Sequence, residues 1–358
     1  LPEPVRILLI APSMNIVGGQ SIQASQLLAR LGREPELQVE FQAIDCPLPR
    51  ALAWTGRIRY LRTAVRFALY LLALWRRLRR GQVVHIFSAG KSSYLLWSVP
   101  TLLASKLARA RIVLHYHDGR IEEHLRWRTA RPTLRRFDRI VAPSDYLVEV
   151  FARHGIRSER IYNVVDNPPF IFRARTRLRP VLLTNRGLEP EYNVGCTLRA
   201  FAIVQREHPE ATLTVAHDGS LRSALERLAG ELGLRNVRFT GSIPYSGMPQ
   251  LYEEADIYVA TPDVDAMPGS LLECFASGIP VVSTNAGGIP HIVEHERTGL
   301  LAEKNDHEGV AAAILRLLRD PALVEWITSN ARRELLKYGW PELRGHWLRI
   351  YHELASNS

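Results

Sequence analysis

Short β-branched runs alternate with longer stretches of helical spacing along the first half of the chain. Apolar runs bounded by turn residues at 5–11, 38–44, 82–87, 111–116, 138–142 and 160–164 predict strands. Between them, apolar residues recur at three- and four-residue intervals over 20–31, 57–80, 92–108 and 145–154, which predicts helices. Strands that alternate with helices in this way predict a doubly wound parallel sheet. The Pro- and Arg-rich stretch 166–180 has no clear period and reads as a linker between domains. A second cycle follows, with strands expected at 181–184, 212–216, 237–240, 256–260 and 280–284 and helices at 306–319 and 321–337. Trp340-Pro341 is expected to break the pattern before a last helix from Glu342, placed to cross back to the first domain.

The length supports the same division. A chain of 358 residues exceeds what a single core organises, and 46% apolar with 23% charged residues is ordinary globular composition. Cys46, Cys196 and Cys274 lie far apart without CxxC spacing, which predicts neither a disulfide framework nor a zinc site and suits a reducing cytoplasm. No charged leader and apolar h-region precede the first strand, so no secretion signal is expected.

Charge adds a partner question. Between Cys46 and His117 there are thirteen Lys and Arg and no Asp or Glu, within a chain of formal charge +10. Over 57–80, arginines bracket the apolar run 67–75, which is too short to span a bilayer. Two readings remain open: a core helix with solvated ends, or a surface helix on an anionic membrane with Phe67, Leu71, Leu74 and Trp75 inserted. Nucleic acid is not expected as a partner, since no recognised binding motif accompanies the charge.

The chemistry concentrates in the run Asp265-Ala-Met267-Pro268-Gly269-Ser270-Leu271-Leu-Glu273, which reads as a loop entering a helix. A helix opening at Gly269 and Ser270 offers free backbone N–H groups and a positive dipole end to a diphosphate. One turn further in, Glu273 suits sugar hydroxyls, and Asp265 sits on the entering loop. The ordinary alternative is a helix start with an exposed glutamate.

This segment resembles the acidic-pair motif of the retaining GT-B glycosyltransferases of family four, with Asp265 in place of the usual first glutamate. The resemblance extends to Gly18-Gly19 before a helix, His117-Asp118 at a strand end, Arg186, the turn His217-Asp218-Gly219, the loop 286–290 and the segment 298–301. It implies two Rossmann-like doubly wound parallel-sheet α/β domains facing a central cleft. Residues 1–169, with helix 341–356 crossing back, would form the acceptor-side domain, and residues 170–340 the nucleotide-sugar domain. It further implies that His117, Asp265 and Arg186 serve catalysis. Donor binding would fall to Gly18, Gly19, Arg186, Gly219, Met267, Pro268, Gly269, Ser270, Leu271 and Glu273. His115 is expected to be buried, and His217 is given no catalytic role.

One departure stands out. Where the family carries a lysine followed by glycine after its arginine, this chain has Tyr192 and Asn193. The expectation is a metal-independent retaining transferase without cofactor, moving sugar from a nucleoside diphosphate sugar to a glycan or lipid-linked acceptor in cell-surface polysaccharide or glycolipid synthesis. It would be cytoplasmic, with the membrane's inner face as one site of contact. A non-catalytic nucleotide-sugar-binding subunit is the alternative, and a GT-B epimerase or phosphorylase a third.

Overall fold

The structure is a computed structural model that describes residues 3–13, 18–165, 170–175 and 177–356, with the side chain of Arg59 outside the description. Two compact units divide it: Leu1–Val164 together with Trp340–Ser358, and Val165–Gly339.

The first unit is a parallel sheet of six strands: β1 (Val5–Ala11), β2 (Leu37–Ala43), β3 (Val83–Ser88), β4 (Arg111–Tyr116), β5 (Arg139–Ala142) and β6 (Glu159–Arg160). Their order is β2-β1-β3-β4-β5-β6, with Ile7 of β1 opposite both Val39 and Val83. Both faces of β1, β3 and β4 are covered, so these strands are near-continuous apolar runs. The helical pattern expected over 92–108 is interrupted: Lys91–Ser93 passes through a π turn, Tyr94–Ser98, before Val99–Leu107. Pro100 in the first turn of that last segment has no N–H to continue an unbroken ladder.

One face of the sheet packs on the helix Trp340–Ser356, which belongs to this unit. Trp347 and Tyr351 are fully buried, and each such side chain stabilises the fold by about 1.5–3 kcal/mol. Buried Glu34 fixes the start of the helix, accepting from Trp340 Nε1 at 3.1 Å and from Arg344 at 2.7 Å. Trp340-Pro341 therefore opens the last helix instead of breaking the chain before it. A proline in the first turn gives up an N–H that has no intrahelical partner.

The second unit repeats the plan with β7 (Val181–Thr184), β8 (Thr212–Val215), β9 (Val237–Phe239), β10 (Ile257–Ala260), β11 (Val281–Thr284) and β12 (Leu300–Ala302), all parallel, in the order β12-β11-β10-β7-β8-β9. The chain moves outward from β7 to β8 and β9, then resumes on the other side of β7 with β10. That reversal makes the carboxyl ends of β7 and β10 the place where a ligand binds in such sheets.

Of the expected linker, 166–169 lie outside the described residues. The described part from Phe170 to Pro180 is anchored to the second unit. Arg175, almost fully buried, donates to the carbonyls of Ser277 (2.7 Å), Tyr252 (2.8 Å) and Ala255 (3.1 Å). Arg173 and Arg179 pair with Asp256 at 3.0 and 2.9 Å. Arg175 thereby satisfies a carbonyl at the end of the helix Gly269–Ser277, beside Gly278 in the left-handed region. No helix among the described residues is long and apolar enough to cross a membrane.

Candidate functional site

Asn185 and Arg186 directly follow β7, and Asp265 lies on the loop after β10, so the switch point of the second sheet brings them together. Arg186 donates from Nη2 to Asp265 Oδ2, and its Nη1 lies 3.5 Å from Ser270 Oγ. The guanidinium carbon stands 4.4 Å from the centroid of the Tyr192 ring, and Nε is buried without a hydrogen-bond partner among the described residues. Burial disfavours the cation, but Asp265 and the surrounding tyrosines raise its pKa above the ordinary value. Burial also pushes the Asp265 carboxyl up while Arg186 opposes that shift. The pair stays ionised at neutral pH, because a guanidinium does not lose its proton and its contact favours the carboxylate.

The loop after β11 holds Asp265 in place. Gly288 N–H donates to the Asp265 carbonyl at 2.8 Å, and Ala266 N–H donates to its Oδ1 at 2.8 Å. Gly287 has φ +56°, and a Cβ there would lie 2.2 Å from the Asp265 carbonyl oxygen. Only glycine fits that approach, so the 286–290 loop supports Asp265.

The helix Gly269–Ser277 begins beside this pair with no side-chain cap. Met267, Pro268 and Leu271 are buried, and Leu271 N–H already donates to Pro268 O at 3.2 Å. Their side chains pack, leaving the backbone donors of the first turn as what this segment offers a ligand. Glu273 accepts from Tyr252 Oη at 2.6 Å and also from Tyr245, and burial raises its pKa. Tyr252 in turn accepts from Asn185 Nδ2 at 2.8 Å; Tyr258 donates to Asn185 Oδ1 at 2.7 Å and lies 2.8 Å from Ser270 Oγ. Asn185, Tyr252 and Tyr258 thus link Glu273 to Arg186 in one polar network. Their separate positions in the chain gave no spacing by which to single them out.

Asn193 stands where the resemblance places a glycine. It has φ +43°, a region that asparagine tolerates better than most residues, and its side chain donates to Asp263 (3.1 Å) and Asn305 (2.7 Å). Gly219 also has a local reason: a Cβ there would meet the Leu188 backbone at 2.5 Å. The close approach it permits within the chain is to Leu188, where the β7 and β8 loops are joined by Leu188 N–H to Asp218 O at 3.1 Å and Leu221 N–H to Leu188 O at 2.9 Å.

In the first unit, Gly18 and Gly19 open the helix Gly19–Leu31, and a Cβ at either would meet no described atom within 4 Å. His117 follows β4, its N–H donating to Ser88 O at 2.9 Å and its ring stacked on Phe87. Burial lowers its pKa to about 3, so the imidazole is neutral, and its Nε2 has no hydrogen-bond partner among the described residues. His115 is buried behind it, 3.3 Å from His85 Nε2, and His85 bonds Tyr351 Oη at 2.7 Å. Asp118 accepts from Gly90 N–H (3.1 Å) and Arg120 N–H (2.9 Å), which ties two loops together. Among the described residues no group of His, Cys, Asp or Glu is arranged to hold a metal ion.

The model of the group 1 glycosyl transferases matches residues 173–334, and that of glycosyltransferase family 4 matches 17–167. The chain belongs to the group 1 glycosyl transferases. An exopolysaccharide phosphotransferase of Streptomyces coelicolor is 30% identical over 275 residues, which is 73% of this chain and 29% of that protein. A GDP-mannose-dependent α-(1-6)-phosphatidylinositol monomannoside mannosyltransferase of Mycobacterium tuberculosis is 30% identical over 182 residues, 46% of this chain and 47% of that one. The matches span from under a third to about half of the length of such curated relatives. Solved structures share the GT-B fold over nearly the whole group 1 chain. Anabaena HepE, in complex with UDP and glucose, aligns with TM-score 0.73 at 21% identity, covering 98% of this chain and 100% of HepE. Sucrose-phosphate synthase of Thermosynechococcus elongatus aligns with TM-score 0.74 at 19% identity, covering 99% and 100%.

Proposed function

We propose that this protein transfers a sugar from a nucleoside diphosphate sugar to a glycan or lipid-linked acceptor, with retention at the anomeric carbon. The observation that carries this reading is the meeting of Arg186, Asp265 and the uncapped start of Gly269–Ser277 at the second sheet's switch point, with Glu273 one turn inside. Arg186 and the first-turn N–H groups stabilise charge on the departing diphosphate as the glycosidic bond lengthens. Glu273, held by Tyr252, accepts from ribose hydroxyls. Asp265 orients the transferred sugar. The acceptor hydroxyl attacks from the leaving-group face and passes its proton to a phosphate oxygen, so one guanidinium and a helix end do the work of a metal.

Anionic membrane contact through 57–80 is part of the proposal. The helix Arg59–Arg77 buries Tyr70 and Leu74, packs Phe67 on Trp97, and leaves Leu72 and Trp75 exposed in its second half, while Trp54, Ile58 and Tyr60 are exposed at and before its start. Leu74 therefore serves the core and is not available for insertion, while Trp75 is. Arginines 76, 77, 79 and 80 are exposed beside it.

The deciding experiment incubates the protein with UDP-, GDP- and ADP-sugars and an acceptor panel, and reads linkage stereochemistry by NMR. Transfer with retention and undiminished by chelator supports the reading; inversion or strict metal dependence rejects it. A non-catalytic nucleotide-sugar-binding subunit is the second reading, favoured by Tyr192 in the family's lysine position. Donor binding without turnover across the panel would select it.

A further inference from the structure

At the amino-terminal edge of the first sheet, opposite the strand end that carries His117, lies a cavity of about 680 Å³. It opens between the segment entering β5 and the turn 155–158 entering β6, and the helix Trp340–Ser356 closes one side with Arg349 and Glu353. Its volume falls within the range of small-ligand pockets and exceeds what a bare phosphate fills.

The carboxylates of its wall are already neutralised. Asp138 pairs with Lys106 (2.9 Å) and Arg111 (3.2 Å) and accepts from Ile112 N–H at 2.8 Å. Glu159 and Glu353 alternate with Arg139 and Arg349 in a closed ring, with separations of 3.1 Å (Arg139–Glu353), 2.8 Å (Arg349–Glu159), 3.5 Å (Arg349–Glu353) and 3.9 Å (Arg139–Glu159). Arg135 and Arg157 line the same cavity and have no side-chain partner among the described residues. Arg135 lies over the Gly155 backbone, where a Cβ would stand 3.4 Å from Nη2. Ser158 Oγ, also in the lining, is buried without a hydrogen-bond partner. The deeper wall is apolar, with Leu134, Phe137 and Ile156 all buried.

We infer that this cavity binds a small phosphomonoester of sugar-phosphate size. Two unopposed guanidiniums match a dianionic phosphate, which arginine forks bind through charge-assisted hydrogen bonds. The unpartnered Ser158 hydroxyl and the outer lone pairs of Glu159 and Glu353 suit the hydroxyls of the ester's body, and the apolar wall suits its carbon skeleton. The ligand would rest against the starts of β5 and β6 and against the middle of the helix Trp340–Ser356. This site does not depend on the proposed transfer reaction.

Calorimetric titration of the full chain with glucose 6-phosphate, glucose and inorganic phosphate tests it, together with flotation on phosphatidylcholine vesicles containing phosphatidic acid. Glucose 6-phosphate is expected to bind at one site, and glucose is not. The R135Q/R157Q protein is expected to lose affinity by roughly tenfold per arginine, while R186Q keeps it. Both cavity arginines are exposed, so an unchanged melting temperature confirms that the double variant is folded. Arginine-dependent binding of phosphatidic acid vesicles without glucose 6-phosphate binding assigns the phosphomonoester to a lipid headgroup. The inference is overturned if neither ester binds, if inorganic phosphate alone binds, or if R135Q/R157Q binds as the parent does.

Discussion

Arg186 commits one nitrogen of its guanidinium to Asp265, and the ring of Tyr192 lies beneath its face. Unit charges about 4 Å apart attract by about 4 kcal/mol at an effective dielectric near 20, before desolvation. Under the proposed donor reading, an arriving diphosphate would compete with that carboxylate for the cation. Asp265→Asn is therefore expected to tighten UDP or GDP binding several-fold in calorimetry while lowering sugar transfer roughly 100-fold or more. Unchanged nucleotide affinity in the variant would refute the competition.

Gly287→Ala tests how Asp265 is held. The substitution places a methyl group against the Asp265 carbonyl and demands φ +56° of an alanine. Expected losses are about 1–3 kcal/mol of second-unit stability, read by urea unfolding, and a fall in transfer larger than the stability loss explains. Parental activity would free this loop from any part in positioning Asp265.

Tyr252→Phe removes the 2.6 Å donor to half-buried Glu273 and the acceptor for Asn185. Leaving such groups short of a partner costs about 1–3 kcal/mol, so the variant should melt earlier and bind donor more weakly. Its affinity for free diphosphate should change less than its affinity for the whole nucleoside diphosphate. Equal losses for both ligands would count against Glu273 as the ribose contact.

Acid should loosen the first unit before the second. Burial lowers the pKa of His85 and His117 to about 3, that of His124 to about 4, and that of His115 well below the usual value. Their unfolded forms bind protons near pH 6.5, so between the two pKa values the unfolded state binds more protons and stability falls as pH falls. Going from pH 7 to 5 costs up to about 2 kcal/mol for each imidazole that must stay neutral. In the second unit, the raised pKa values of Asp265 and Glu273 act in the opposite direction, gaining stability on acidification. Hydrogen exchange at pH 7 and 5, corrected for intrinsic rates, should show protection lost first in β3 and β4. Equal loss in β7 and β10 would contradict this.

The basic helix gives a separate expectation. Changing Arg76, Arg77, Arg79 and Arg80 to Gln should abolish flotation with anionic liposomes and leave transfer to a soluble acceptor intact. Equal flotation of parent and variant would reject this patch as the contact.

Apolar periodicity located β1, β4 and β7 to the residue, because buried parallel strands write their burial into continuous runs. The three-residue β12 escaped notice, being too short and too close to Gly299 to show a pattern. Asp265 and Glu273 were legible as candidates because they sit in one loop-to-helix run, and Arg186 was legible only through the family resemblance. Their support was not: Asn185, Tyr252 and Tyr258 meet only when the sheet order brings β7 beside β10. Likewise Tyr192 read as a missing cation, whereas its ring's contact with Arg186 depends on the turn that Asn193 makes at φ +43°.

The helix Trp340–Ser356 closes the core of a unit whose last strand, β6, ends 180 residues before it in sequence (160 to 340). On the ribosome, β1 to β6 emerge first and wait with the face that receives Trp347 and Tyr351 uncovered, while 165–339 can complete its own core. Of the two units, the one begun earlier is thus the later to finish, and its apolar sheet face stays uncovered until Trp340–Ser356 has been made.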